Sequence, residues 1–456
     1  MRWAASLALA AAGCLSSLER PTEPDAGGTV DTAWQVALGI SVPHVAAARG
    51  DAVVVAAFEG TVELESPITA DGGGLDILVA GFDVDGAQRF AEAYGGPAQE
   101  FPTAIALSRV SGEISAVGIY GGGEANAGGD ILPASTGYSL FAARYQAGGA
   151  HEWSLPGLAV DGVYSPSSIS IGGSGGIALA GAYLSMLQLG TLNANVVGDH
   201  DLFFANLDQN GGVMTLAGYG AAGYQSGTGA LEDGQGSIYL FGTATSPFEI
   251  GDVSPDADTD GAMFVVPIDD RGDARSWMLD TVGGAVGGLH GAIMPDGCLL
   301  LAGWFDGSFA FDVADATLLG SRGGTDVFMA VIEPDGDVAW LEQFGGEADD
   351  VANGVAVAPD GRFALTGGFH GTARMGETEL SSAGSSDVFV LAFEADRSVR
   401  WARRFGGVED DNGQSVAVDD DGSVLLGAIY RGEVDFGGPA PLSSGGGDGG
   451  ALIRFH

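Results

Sequence analysis

One marked position recurs along this chain at a period of roughly 62 residues: Trp34, Phe90, Trp153, Thr215, Trp277, Trp340 and Trp401. A repeat that long describes a small sheet and not one coil of a solenoid, so it constrains the architecture before any single motif is weighed. The sixth copy shows the pieces. Gly354–Ala358 is one apolar run, Pro359-Asp360-Gly361 a turn, Phe363–Phe369 a second run and Asp387–Phe393 a third. After a turn around Asp396, Val399–Phe405 is the fourth, closed by Gly406-Gly407. Short Val-, Phe- and Leu-rich runs bounded by Asp-Gly and Gly-Gly are strand and hairpin signals.

Four strands per unit with no helical period between them make an antiparallel sheet, and such sheets set side by side around an axis make a β-propeller. A parallel β-helix is the rival, but its coils are about half as long and rarely carry hairpin turns at fixed offsets. Third strands begin at Asp76, Ser139, Asp201, about Ala262, Asp326, Asp387 and Asp448, and the chain stops at His456 before the last copy gains a fourth. Conversely, Trp34 marks a fourth strand with no third strand before it. The expectation is an all-β, seven-bladed β-propeller of four-stranded antiparallel blades. The strand around residues 33–38 should pair with the strand around 451–455, removing the free sheet edges.

Composition agrees. Of 456 residues 46% are hydrophobic and only 17% charged, and the 79 Gly fall in clusters between apolar runs, as turn chemistry requires. The chain has no Lys, and its 60 acidic residues give a formal net charge of −43. Such a surface repels phosphate backbones, which argues against nucleic acid as a partner. The charge serves solubility, or acidic loops hold Ca²⁺ or meet a basic partner.

Arg2, the apolar run 3–12 and then Gly13-Cys14 read as an export signal too short to span a bilayer as a helix. Residues 1–13 are expected to be a lipoprotein signal peptide, 14–30 a flexible tether and 31–456 the propeller. The segment before Cys14 resembles the bacterial lipobox, with Ala11 where that motif usually has Leu; cleavage near Ala12 of an ordinary signal is the alternative. Lipidation of Cys14 would attach the protein to a membrane through its lipid alone, as an exported monomer of the cell envelope, the outer membrane or the cell surface. Cys298, in a Leu-rich strand, reads as a small buried hydrophobe.

The unit resembles the bacterial seven-bladed β-propeller repeat of exported proteins. The matching residues are Phe436-Gly437-Gly438, Leu442-Ser443-Ser444-Gly445, Asp387-Val388-Phe389-Val390, Gly336 with Trp340, and Phe344-Gly345-Gly346, with copies two to four degenerate. The resemblance implies a fold and an exported location and almost nothing about activity. The turn Pro334-Asp335-Gly336-Asp337 is also similar to the aspartate box of sialidase propellers, but its Asp and Gly are adjacent and no arginine cluster can be assigned.

Two acidic groups stand out. Asp256, Asp258 and Asp260, followed by Gly261, place carboxylates at alternate positions as a Ca²⁺ loop does, although Pro267 stands where an EF-hand has its Glu. Calcium is the one cofactor the sequence suggests, against an acidic surface turn. Asp349-Asp350 and Asp410-Asp411 sit in matching connections between blades, where they would form an acidic channel mouth, or else a set of solvated loop carboxylates. The six histidines do not recur at one offset, and no nucleophile elbow or phosphate loop precedes a helix. The repeated Trp reads as a packing layer between blades. The function expected is a non-catalytic, surface-anchored scaffold binding a protein or glycan. The alternative is an exported hydrolase or lyase at the central channel, drawing on Tyr164, His200 and Tyr224 of the divergent blades.

Overall fold

The computed structural model describes residues 31–456 apart from 72, 136, 160–161, 255–260, 276, 313–316 and the side chains of 40, 164 and 165. Its strands form seven four-stranded antiparallel blades. Blade 1 comprises the second half of Thr32–Ala48, then Asp51–Glu59, Asp76–Phe82 and Gln88–Tyr94. Blade 7 comprises Asn412–Val418, Val424–Val434 and Leu442–Phe455, and its fourth strand is the first half of Thr32–Ala48. The register pairs Thr32 with Phe455, Trp34 with Arg454 and Ala37 with Ala451, so the expected closure is present. The inner strands touch in order around the ring, with Asn412–Val418 meeting Thr32–Ala48.

Third strands such as Asp76–Phe82 and Asp326–Ile332 are buried at every position, because each blade packs on a neighbour through both faces. One apolar cluster fills each of the seven junctions: Leu452 and Leu425 of blade 7 pack with Val54 and Leu78 of blade 1, and so on around the ring. Tight first-to-second and third-to-fourth turns share one end of the ring, here called the lower face. Second-to-third loops and the connections between blades leave from the upper face. The sixth copy departs from expectation in one respect. Its second and third strands run on to Met375 and back from Thr378, bending so that Ala373 and Arg374 pair with Gly346 and Gly345 of blade 5. Leu187–Leu189 and Ser308–Phe311 likewise pair with the outer strands of the preceding blades, covering edges that would otherwise be open.

At four junctions the marker position locks one blade to the next. The indole N–H of Trp34 donates to the Val84 carbonyl (3.0 Å), that of Trp153 to Gln209 (3.1 Å) and that of Trp277 to Pro334 (3.1 Å), each the second residue of a lower-face turn. Thr215, the odd marker, keeps the bond through its hydroxyl, which donates to Asp270 (2.8 Å). A left-handed glycine ends these turns because the ring lies on it; a Cβ on Gly86 would stand 2.6 Å from Trp34. Trp277 itself sits two residues before its outer strand, Leu279–Gly283, not within it. The Trp401 N–H is buried without a partner, and closure explains it: blade 7 has no third-to-fourth turn, since its fourth strand comes from the other end of the chain.

Candidate functional site

Six of the seven blade junctions fall into two kinds. At four of them the third strand opens with a buried aspartate, Asp76, Asp201, Asp326 or Asp387. One carboxylate oxygen fixes the incoming loop, accepting the N–H of Asp71 (2.6 Å), Val197 (2.6 Å), Arg322 (2.5 Å) or Ala383 (2.7 Å). The carboxylate occupies the space of a side chain at the end of the neighbouring outer strand, where the sequence has Gly95, Gly220, Gly345 or Gly406. A Cβ on Gly95 would lie 2.1 Å from Asp76 Oδ1, and one on Gly345 1.9 Å from Asp326 Oδ1. This is the physical content of the Phe-Gly-Gly signature. Blades 2 and 4, whose third strands carry Ser139 and Ala262 instead, have Leu158 and Val282 at the glycine position.

A third position completes the set. The next blade's inner strand supplies Glu100, Gln225, Asp350 or Asp411 opposite the four aspartates, and Val163 or Val286 opposite Ser139 and Ala262. All four polar residues are buried, and the Ala221 N–H donates to Gln225 as the Gly346 and Gly407 N–H groups donate to Asp350 and Asp411. Two carboxyls thus face each other at three junctions. Asp76 Oδ1, Glu100 Oε2, Asp326 Oδ1, Asp350 Oδ1 and Asp387 Oδ1 have no hydrogen-bond partner. Burial, reinforced by the opposing acid, pushes Glu100 up to about 8 and Asp350 up to about 7; Asp76, Asp326 and Asp411 are raised as well. That an amide, Gln225, takes the same place in the fourth polar junction fits a neutral acid there. The offsets between the three positions are the same at all four polar junctions, so the coupling could have been found by aligning those copies.

The acidic channel mouth is therefore divided. Asp349 and Asp410 are exposed, and their carboxylates accept the N–H of Thr325 (3.0 Å) and Ser386 (3.4 Å). Asp350, which opens its inner strand, and Asp411, just before the next, are 0% and 1% exposed, because their carboxylates turn into the junction to accept the Gly346 and Gly407 N–H groups. Asp256, Asp258 and Asp260 lie outside the described residues, as do Cys14, the signal segment and the side chain of Tyr164. Cys298 is buried at the head of Leu299–Phe305, in the cluster with Leu300 and Met329. Among the described residues, no group of three or more His, Cys, Asp or Glu could hold a metal ion.

Inner strands bring together two residues that sequence spacing could not connect. His44 of blade 1 and His290 of blade 5 are both lowered to about 4 by desolvation, and His290 further lowers His44. On the upper face His200 stacks on Tyr224, with ring centroids 4.6 Å apart, so the structure joins two of the three residues named for an enzymatic reading. Two of the cavities among the described residues, about 100 and 280 Å³, lie by Arg49 and Phe90 and by Gln35 and Glu65. Both are smaller than the roughly 300–1,000 Å³ usual for a small-molecule site.

These groups give a signed pH dependence. A carboxyl raised in the fold contributes stability that is complete below its ordinary value and is lost as pH rises through the raised one; for Asp350 and Glu100 that window runs from about pH 4 to 8. Histidines lowered to about 4 contribute stability present above 6.5 and lost as pH falls toward 4. Between pH 6.5 and 8 only the carboxyl effect operates among these groups. Unfolding free energy from urea titrations should fall there by up to about 1.4 kcal/mol per pH unit for each titrating acid. Glu100→Gln with Asp350→Asn should flatten the descent, and an equally steep one in the double variant would reject the assignment.

No protein-family model matches the chain, and no curated protein does. Among solved structures it is similar to a member of the DUF4221 family from Bacteroides vulgatus, with 10% identity over 94% of this chain and 97% of that one, at a TM-score of 0.34. It is also similar to a puromycin hydrolase, with 11% identity over 91% of this chain and 56% of that one, at 0.40. A leech intramolecular trans-sialidase matches with 10% identity over 90% and 67%, at 0.30. The protein is a β-propeller by its own strand pairing and ring closure.

Proposed function

We propose that this protein is an exported lipoprotein of the seven-bladed propeller repeat type, anchored through Cys14. Its upper face binds a protein or glycan without catalysis by the propeller. The observation that carries the reading is the contrast between the two ends of the ring. Lower-face turns are short and alike, four of them are locked by the marker residue of the blade before, and they expose apolar residues singly, as at Val84 and Val110. The upper face has connections of unlike sequence and exposes Tyr138, Val197 (73%), Tyr224 (53%) and Val408 (83%). Apolar side chains left bare on the variable end of a rigid scaffold are what a binding surface needs. The stacked His200 and Tyr224 are the one observation favouring the enzyme reading.

Capture of envelope proteins and glycans by the mature protein tests the proposal, with Val197→Ser/Tyr224→Ser as the comparison. Binding should be lost in the variant while its melting temperature holds. Turnover of an ester or glycoside panel that disappears in His200→Ala would replace the scaffold reading with the enzymatic one. Anchoring is checked separately with an alkyne-palmitate label, which Cys14→Ser should abolish.

A further inference from the structure

Charge is sorted by face on blades 1 to 4. Their six arginines are Arg49, Arg89, Arg109, Arg144, Arg271 and Arg275, and all lie in lower-face turns or at the strand ends that meet them. There five of them are engaged, Arg49 through a bond to the Val110 carbonyl (3.1 Å). Arg89 pairs with Asp51 (2.8 Å), Arg109 with Asp420, Arg144 donates to the carbonyls of Gln209 (2.9 Å) and Gly175 (2.7 Å), and Arg275 donates to that of Gly236 (2.6 Å). As the chain has no Lys, the upper face of these blades carries no Lys or Arg. It does carry exposed carboxylates, among them Glu124 and Asp199.

Exposed apolar side chains fall on the same sector. Tyr138 opens the third strand of blade 2, Val197 lies in the loop of blade 3 tied to Asp201, and Tyr224 lies in the connection from blade 3 to blade 4. Backbone bonds tie the Val197 loop to the Tyr224 connection and that connection to blade 4: Asp199 N–H donates to Gly223 (3.2 Å) and Thr245 N–H to Tyr224 (2.9 Å). Aromatic and aliphatic contacts rimmed by unopposed carboxylates, with every local guanidinium on the far side of the ring, are complementary to a chain that is itself cationic and apolar.

We infer that the upper face of blades 2 to 4 docks a Lys- or Arg-rich polypeptide segment with interspersed apolar side chains. The inference rests on the binding-scaffold reading and names the chemistry of its partner. A neutral glycan would have no use for the one-sided charge.

The test uses the mature protein and a fluorescein-labelled dodecapeptide of alternating Lys and Leu, followed by fluorescence anisotropy at physiological salt. With so acidic a protein the danger is diffuse attraction, so two variants are compared that lose the same charge. Glu124→Gln/Asp199→Asn acts on the upper face, and Asp85→Asn/Asp270→Asn on exposed lower-face turns. The first should weaken binding at least tenfold and the second less than twofold. Val197→Ser/Tyr224→Ser, read independently, should also weaken it about tenfold. Equal losses in the two charge variants, or no binding by the parent, overturn the inference. A glycan captured through Val197 and Tyr224 with no peptide binding would overturn it while leaving the scaffold reading standing.

Discussion

Removing residues 31–40 should unfold the whole ring and not merely its edge. The deleted strand pairs with the last strand from Thr32–Phe455 to Gly39–Gly450, and it buries Trp34 and Leu38 in the junction between blades 7 and 1. Losing one such side chain costs about 2–5 kcal/mol, and the backbone bonds of the last strand lose their partners too. A domain's whole margin is typically only about 5–15 kcal/mol. The deletion also uncovers the strand that carries Arg454, whose buried guanidinium is paired with Asp419 at 2.6 Å. Asp419 in turn accepts the Gly50 N–H of blade 1 (3.1 Å), so the damage crosses into the neighbouring blade. Thermal unfolding by circular dichroism should show the cooperative transition lost or sharply lowered, and a peptide of residues 31–40 added in trans should restore part of it. A deletion variant melting like the parent would show that the ring does not depend on this strand.

The second large effect is expected at a residue with no side chain. Gly95→Ala places a methyl group 2.1 Å from Asp76 Oδ1 and 2.2 Å from its Cγ. Asp76 cannot swing away, because it is 1% exposed and its other oxygen holds the Asp71 N–H at 2.6 Å. Overpacking of this kind costs about 1–3 kcal/mol, and the pinned carboxylate puts this case at the upper end. Asp76→Ala alone leaves the Asp71 N–H without its partner, at about 1–3 kcal/mol. The informative variant is the double one. Gly95→Ala/Asp76→Ala should be more stable than Gly95→Ala, with a coupling of at least about 1 kcal/mol in a double-mutant cycle. Strict additivity would sink the idea. Blades 2 and 4 already show the alternative solution, with Ser139 facing Leu158 and Ala262 facing Val282.

Legibility in the sequence was uneven for identifiable reasons. The strands of the sixth copy were readable because their turns are local: Pro359-Asp360-Gly361 closes a hairpin whatever surrounds it. Its extension to Met375 was not, because residues 370–375 become a strand only by lying against Gly345 and Gly346 of another blade. The marker residues read as packing, and they are. Their second task, donating to a turn of the next blade, was hidden by Thr215, which keeps the bond and drops the ring. Among the acids, Asp349-Asp350 and Asp410-Asp411 look alike on paper. One member of each pair reaches solvent and the other is sealed against Asp326 or Asp387.

By itself the sequence determined the number of blades and the way the ring closes. Both follow from short-range signals, apolar runs and turn residues, counted along the chain until one unit proves to be split between its ends. Only the tertiary structure decided which carboxyls are sealed in junctions and raised, that His44 and His290 are buried within electrostatic reach of each other, and that the arginines of four blades all lie at one end of the ring. Those properties depend on what a neighbouring blade removes from water, and the residues concerned are brought together by ring curvature across long stretches of chain.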